Sequence, residues 1–535
     1  MDREIPQLSR TGKDVALVVD GRPFVMLAGE MHNSAASDAR TLDAAMDRAV
    51  ELGMNSVIAP VSWELVEPEE GAWDFASVDV LLAAARQRDL RLGLLWFGAW
   101  KNAACYYAPE WVKRDLDRFR RAELEPGQHK AYLDFHGMTL PYAALSALCE
   151  ETRDADARAF ARLMAHLRGV DAIERTVLFV QVENECGLLG AAREHSLEAD
   201  EDFGRNVPAR LLDYLRERAG ELQGRLGDAW RAGAGRGGWE GVFGDFAEET
   251  FTAWHMARYI ESVAAAGKAE YPLPLVVNCW LDKGREAGAF PTGGPVARVM
   301  EVWRCAAPSI DVVAPDIYVP DFCGTCDGYR GLGNPLVIEE TAVHGRVASR
   351  AVWAVCHHHA PCFAPFGFED MGEPFDDAAG VLFGASLDPA AVVPQDAKEY
   401  ARVMAALGEL VARARDVRGG LEGMDAVISE RPETDVLAVG SDGIAGINVS
   451  YDDHPGACAV VPLGPDEALV LALHCRVTPV SLDPGCPHAD ILSLDELVSD
   501  EGGAWSCGRR LNGDEATLLR FDGPTLLRLR LFSYR

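Results

Sequence analysis

A run of apolar residues, Val177-Leu-Phe-Val-Gln-Val182, turns abruptly into Glu183, Asn184 and Glu185. A second run, Pro335-Leu-Val-Ile338, ends in Glu339 and Glu340. Two carboxyl groups facing each other across a cleft are the least equipment that cleaves a glycosidic bond. One, protonated, gives its proton to the departing oxygen; the other, ionised, attacks or stabilises the oxocarbenium-like carbon. At a separation of ~5–5.5 Å the second acts as a nucleophile and configuration is retained. Environments that push the two pKa values apart assign the roles.

Alternation along an extended strand puts Gln181, Glu183 and Glu185 on one face and Val182 and Asn184 on the other. On that pattern Glu185 reaches the cleft and Glu183 lies one layer deeper, as a positioning group. Of Glu339 and Glu340 only one can enter the cleft, and an ion pair with a neighbouring helix is the structural alternative for Glu339. Aromatic residues gather at the ends of the apolar runs: Trp63, Trp96, Trp100, Trp280, Tyr318 and Phe366. Such planes stack on the apolar faces of sugar rings, while polar neighbours hold hydroxyls; His32, Lys101, Asn184 and Asn278 are placed to do so.

The elements that position these groups are buried strands, read as near-continuous apolar runs with polar exits. Eight are predicted, at 24–29, 55–60, 91–97, 177–182, 275–278, 311–317, 335–339 and 362–366. Helical spacing is read at 41–52, 76–88, 154–169, 247–267, 295–306, 346–359 and 396–416. The count and order predict an α/β fold, a (β/α)8 TIM barrel over 1–420, whose ligands bind at the carboxyl ends of the strands. A hairpin over 13–24, turning at Asp20-Gly21, precedes it. The Gly-rich, charged stretch 190–246 reads as an insertion over the strand ends, and the long connection 101–150 as functional or carrying short helices. A doubly wound sheet would want a Gly-rich phosphate loop; no G-x-G-x-x-G in a β-to-α turn and no Walker A motif is present. From 421 to 535 short alternating runs such as Leu527-Arg-Leu-Arg-Leu531 predict a C-terminal antiparallel β-sandwich domain.

The chain has 535 residues, 48% hydrophobic and 25% charged, with 83 acidic against 51 basic side chains and a net charge of −32. That balance argues against nucleic acid or an anionic membrane and for a neutral or weakly charged ligand, in keeping with the small glycoside or oligosaccharide that the paired acids would take. No apolar stretch is long enough to span a bilayer, and no secretory signal follows Met1. Thirteen scattered cysteines fit reduced thiols and a cytoplasmic setting. Cys323 and Cys326 have metal-ligand or redox spacing but no second C-x-x-C, and His357, His358 and His359 read as helix surface, so no metal is expected. His32, Asp316 and Asp321 are too sparse for a metal-dependent hydrolase, and no G-x-S-x-G elbow follows a strand. The β-domain offers a surface for homo-oligomer formation.

The residues Val61-Ser-Trp-Glu-Leu-Val-Glu-Pro-Glu-Glu-Gly-Ala-Trp-Asp-Phe75 resemble the second-strand signature of family 35 glycoside hydrolases, the β-galactosidases. Gln181-Val-Glu-Asn-Glu185 resembles their acid/base motif. Leu94 to Asn102, Val299 to Trp303 and Asn334 to Glu340 resemble a divergent bacterial branch with a β-rich C-terminal domain. The resemblance covers residues 20–420. It implies that Glu185 is the general acid/base, that Asn184 touches the sugar 2-hydroxyl, that Glu340 is the nucleophile and that no cofactor is needed. Pro60 stands where the family commonly has an aromatic residue, and the segment 96–100 replaces one containing Gly-Pro-Tyr. Those positions line the sugar site in the main branch, so the shared chemistry is better supported than galactose. Glucosides, mannosides, fucosides or arabinosides, and a non-catalytic carbohydrate-binding barrel, stand as alternatives.

Overall fold

The computed structural model describes residues 4–11, 14–135, 138–374, 393–431, 435–500 and 503–535. Eight parallel strands form one sheet: β1 (Met26–Glu30), β2 (Ser56–Ser62), β3 (Arg91–Lys101), β4 (Val177–Asn184), β5 (Leu275–Trp280), β6 (Val312–Asp316), β7 (Val337–Ile338) and β8 (Cys362–Phe363). Their order is β6-β5-β4-β3-β2-β1-β8-β7, which is the cyclic order of a (β/α)8 barrel. Helices α1 (Ala39–Glu51), α2 (Ala76–Gln87), α3 (Glu150–Asp171), α4 (Ala247–Glu270), α5 (Met300–Ala306), α6 (Phe322–Gly331), α7 (Val347–His357) and α8 (Ala397–Arg418) alternate with the strands. Every residue of β4 is buried, as a strand covered on both faces requires.

The chain divides into two compact units, Met1–Gln7 with Met31–Met46 and Val57–Ile317, and Leu8–Glu30 with Asp47–Ser56 and Tyr318–Arg535. In the first, α3 and α4 pack closely because Gly267 has no side chain; a Cβ there would lie 2.2 Å from the Phe160 ring. The insertion 190–246 carries four short helices, at Leu197–Phe203, Ala209–Glu217, Gly224–Ala232 and Trp239–Phe243. The connection 101–150 holds one short helix, Glu110–Arg114, and a hairpin of Ala131–Phe135 with Met138–Tyr142.

In the second unit, Asp14–Val19 pairs with Arg22–Phe24 across the predicted turn. The C-terminal strands are β9 (Asp425–Ile428), β10 (Val436–Ala438), β11 (Ala445–Tyr451), β12 (Ala457–Pro462), β13 (Glu467–Leu473), β14 (Cys475–Ser481), β15 (His488–Ser499), β16 (Trp505–Arg510), β17 (Arg520–Phe521) and β18 (Thr525–Tyr534). They form two antiparallel sheets, ordered β9-β12-β13-β18-β15-β16 and β10-β11-β14-β17. Val470, Leu527 and Leu529 of one sheet share an apolar core with Leu437, Ile447 and Val477 of the other. The strict Leu/Arg alternation of β18 is that of a half-buried strand, Leu529 inside and Arg528 outside.

Two differences from the expected elements are physical. The predicted third strand stops at Phe97, yet β3 runs to Lys101 through a register irregularity between Trp96 and Lys101. Helix α6, around Cys323, has no strong apolar period; it starts because the Asp321 side chain accepts a hydrogen bond from the Gly324 N–H at 2.9 Å.

Candidate active site

At the end of β4 the extended pattern breaks. Glu183 and Glu185 have φ of 62° and 44°, and facing them at the end of β3 Asn102 and Ala103 have φ of 52° and 55°. Left-handed backbone at non-glycine residues costs roughly 1–2 kcal/mol each and persists where surrounding contacts impose it. The contacts are present. Glu183 Oε1 accepts the Ala99 N–H at 3.0 Å and Oε2 the Trp100 N–H at 2.7 Å. The Ala103 N–H donates to the Glu185 carbonyl at 3.1 Å. Lys101 Nζ donates to Asn184 Oδ1 at 2.8 Å.

The alternation expected for Glu183 and Glu185 therefore does not hold. Glu183 is not a deeper layer of the same face: its carboxyl group hydrogen-bonds Asp156 of α3. Asp156 also accepts from Trp96 Nε1 at 2.8 Å and from the Tyr259 hydroxyl of α4 at 3.0 Å. Burial, and then the charge of Asp156, hold Glu183 well above the usual carboxyl range; burial raises Asp156 as well. Gly98 leaves the space for them, since a Cβ there would lie 2.4 Å from Glu183 Oε1 and 2.8 Å from Asp156 Oδ1.

Glu185 is 7% exposed. Its backbone N–H donates to Asn278 Oδ1 of β5 at 2.7 Å, and Asn278 Nδ2 donates to Asp316 Oδ2 of β6 at 2.8 Å. Three neighbouring strand ends are thus tied together, and Asn278 serves as a strut for Glu185. Lys283 is held below the usual lysine range by desolvation and Arg285, with Glu185 acting the other way. Burial, then Tyr106 and Glu185, push the Tyr142 hydroxyl up to about 12.

In the second unit, Glu340 follows β7 and is 7% exposed; the Tyr318 hydroxyl donates to its Oε1 at 2.7 Å. Tyr318 packs with Phe366 and Ala342. Glu339 is fully buried, and neither of its oxygens has a hydrogen-bond partner. Among the described residues the helix ion pair considered for it is not formed. Burial, and then the charge of Glu340, hold it well above the usual range. Glu339 lies in the wall, and Glu340 is the more exposed member of the pair.

The predicted aromatic set separates. Trp63 and Trp96 are fully buried and offer no face to a ligand: Trp63 donates to Glu67 at 2.9 Å and meets Trp111 edge-on, and Trp96 packs on Phe160. Trp100 is also fully buried, edge-on to Tyr259. Trp280, Tyr318 and His32 are half-buried past their strand ends. Asp156 and Tyr259 were not among the expected residues. The signal for Asp156 was an acid within the stripe of Thr152, Ala155, Ala159, Phe160 and Leu163 that α3 buries.

Cys323 and Cys326 are buried thiols with pKa values raised by burial, and all thirteen cysteines are free. His358, expected on the helix surface, is 5% exposed. Among the described residues no helix is long and apolar enough to cross a membrane.

Residues 16–97 match the family model of glycosyl hydrolases family 35, and residues 398–521 match a domain of unknown function, DUF5597. No curated protein matches the chain. Among solved structures, the chain is similar to a β-galactosidase from the psychrophilic Marinomonas ef1, at 16% identity and a TM-score of 0.45 over 74% of this chain and 60% of that one. It is similar to an exo-β-1,4-mannosidase from Opitutaceae bacterium strain TAV5, at 15% identity and a TM-score of 0.40 over 76% and 62%. It is also similar to a β-galactosidase from Bacillus circulans sp. alkalophilus, at 12% identity and a TM-score of 0.44 over 94% and 99%. The chain spans about three fifths of the length of the first two. The family 35 match lies on the N-terminal hairpin and β1 to β3, and the second match lies on α8 and the C-terminal sheets.

Proposed function

We propose that the protein is a retaining exo-β-glycosidase that removes terminal β-galactosyl residues from small oligosaccharides or glycosides. The observation that carries the reading is the 2.7 Å hydrogen bond from the Tyr318 hydroxyl to Glu340 Oε1. A donor fixed on one oxygen orients the carboxyl group and leaves the other oxygen to attack. Glu340 displaces the aglycone and forms a glycosyl ester; Glu185 protonates the departing oxygen, then takes a proton from the water that releases the sugar. Asn184, fixed by Lys101, binds the 2-hydroxyl, where hydrogen bonds strengthen in the transition state. Galactose rests on the family 35 likeness, and the free thiols go with a reducing, cytoplasmic setting.

The test uses Glu340→Gly with an aryl β-galactoside. Turnover is lost, and azide restores it with β-galactosyl azide as the product. Wild-type turnover without azide removes Glu340 from the role. A panel of aryl β-glycosides tests the sugar: faster hydrolysis of a glucoside, mannoside, fucoside or arabinoside replaces galactose, and binding without hydrolysis across the panel rejects the enzyme.

A further inference from the structure

The His357–His359 segment at the end of α7 is left unused by the reaction. One ligand atom each from Asp327, His357 and His358 lies within 4.8 Å of the others. Asp327 comes from α6; His357 stacks on Trp353 of α7, and His358 meets the same ring edge-on. The His358 side chain is 7% exposed, and its Nε2 sits 3.2 Å from Asp327 Oδ1 without the alignment of a hydrogen bond. A ring nitrogen that faces a carboxylate oxygen, out of hydrogen-bond alignment, is a poor contact on its own. It is the edge of a tetrahedron around a metal: two ligand atoms ~2.0–2.1 Å from a zinc ion lie roughly 3.3–3.4 Å apart.

We propose that Asp327, His357 and His358 bind a divalent transition-metal ion of the zinc type, a site separate from the glycosidase chemistry. The surroundings fit such an ion. His357 Nδ1 lies 2.7 Å from Asp425 Oδ1, so its N–H donates there and Nε2 is the ligating atom, the carboxylate–histidine arrangement that orients metal ligands. Arg431 Nη1 holds Asp327 Oδ2 at 2.5 Å and leaves Oδ1 for the metal. Two imidazoles and one carboxylate select zinc or a similar borderline ion over calcium or magnesium, which take oxygen ligands. His357 and Asp327 are 37% and 39% exposed at their side chains, which gives the ion an entry and leaves a position for water. Through Asp425 at the start of β9, the ion ties α6 and α7 to the C-terminal strands, so its role is a structural clamp.

The experiment takes the full chain, dialysed against a chelator, and adds Zn2+ alone in equilibrium dialysis. One zinc per chain is expected, with affinity at least tenfold weaker in His357→Gln and in Asp327→Asn and unchanged in Cys323→Ser. His357 is half-exposed, so its replacement keeps the fold even where a change at buried His358 does not. Co2+ in place of zinc is expected to give the visible bands of a tetrahedral ion in wild type, absent in His357→Gln, and zinc is expected to raise Tm in wild type only. No stoichiometric binding, or binding that survives loss of His357, reduces the cluster to packed histidines and ion pairs and overturns the site. Neither result bears on Glu185 or Glu340.

Discussion

The ends of β4 and β7 each pair a buried acid with a presented one, and they neutralise the buried acid differently. Glu183 is wrapped: two backbone N–H groups, a hydrogen bond with Asp156, and through Asp156 an indole and a phenol. Glu339 is bare: both oxygens lie in the wall without a partner, and its proton is kept by burial and the charge beside it. The first arrangement does mechanical work. Accepting from Ala99 and Trp100, Glu183 holds the irregular end of β3 against β4 and so places Lys101 beside Asn184. The second does none that its contacts reveal. A buried carboxyl group thus serves as a joint or as a neutral filler according to whether donors reach it.

The largest effects fall on the presented acids. Glu185→Ala is expected to lower kcat by ~10²–10⁴-fold on a glycoside with a poor leaving group and much less on an activated aryl glycoside, since only the former needs the proton. Equal losses on both substrates would deny Glu185 the acid role. The next effect strikes the joint. Gly98→Ala drives a methyl into Glu183 Oε1 and Asp156 Oδ1 and is expected to cost about 3 kcal/mol, the upper range for overpacking, in a urea melt. A neutral outcome would mean the two carboxyl groups can separate without loss.

Much of the barrel was legible. All eight strands were found, because a parallel strand buried on both faces is an unbroken apolar run and its end is marked by the first polar residues. The acids at 183, 185, 339 and 340 were found for the same reason. What the pattern could not give was direction. Strict alternation assumed extended backbone, and the positive φ of Glu183 and Glu185 cancels it. Trp63 and Trp96 sit where a sugar platform would be expected but are consumed by internal partners, Glu67 four residues on and Asp156 from a distant part of the chain. Asp156 itself was visible as a charge on an apolar helix stripe; its partner was not, because the pairing is tertiary.

The same substitution made at each buried acid sharpens the contrast. Glu183→Gln replaces two acceptor oxygens by one oxygen and an NH2 group, which then faces a backbone N–H at Ala99 or Trp100. The expected loss is roughly 1–3 kcal/mol in the denaturant melt, at any pH where the chain folds. A neutral or stabilising change would show that the joint carries no load.

Glu339→Gln is the smallest change near pH 5 and has the opposite sign. The folded pKa of Glu339 lies well above the ordinary one, so between the two values the folded protein keeps a proton that the unfolded chain has released. Stability from this group is whole below the ordinary carboxyl pKa. It falls by about 1.4 kcal/mol per pH unit as pH rises towards the folded value. Glutamine has the same shape and never ionises, so the variant is free of that slope. Unfolding free energies of wild type and variant are expected to be close at pH 5 and to diverge through neutrality, with the variant the more stable. Parallel curves would mean that Glu339 has the same proton affinity folded and unfolded, and a group with two unpartnered oxygens deep in the wall can have that only if donors reach it in solution.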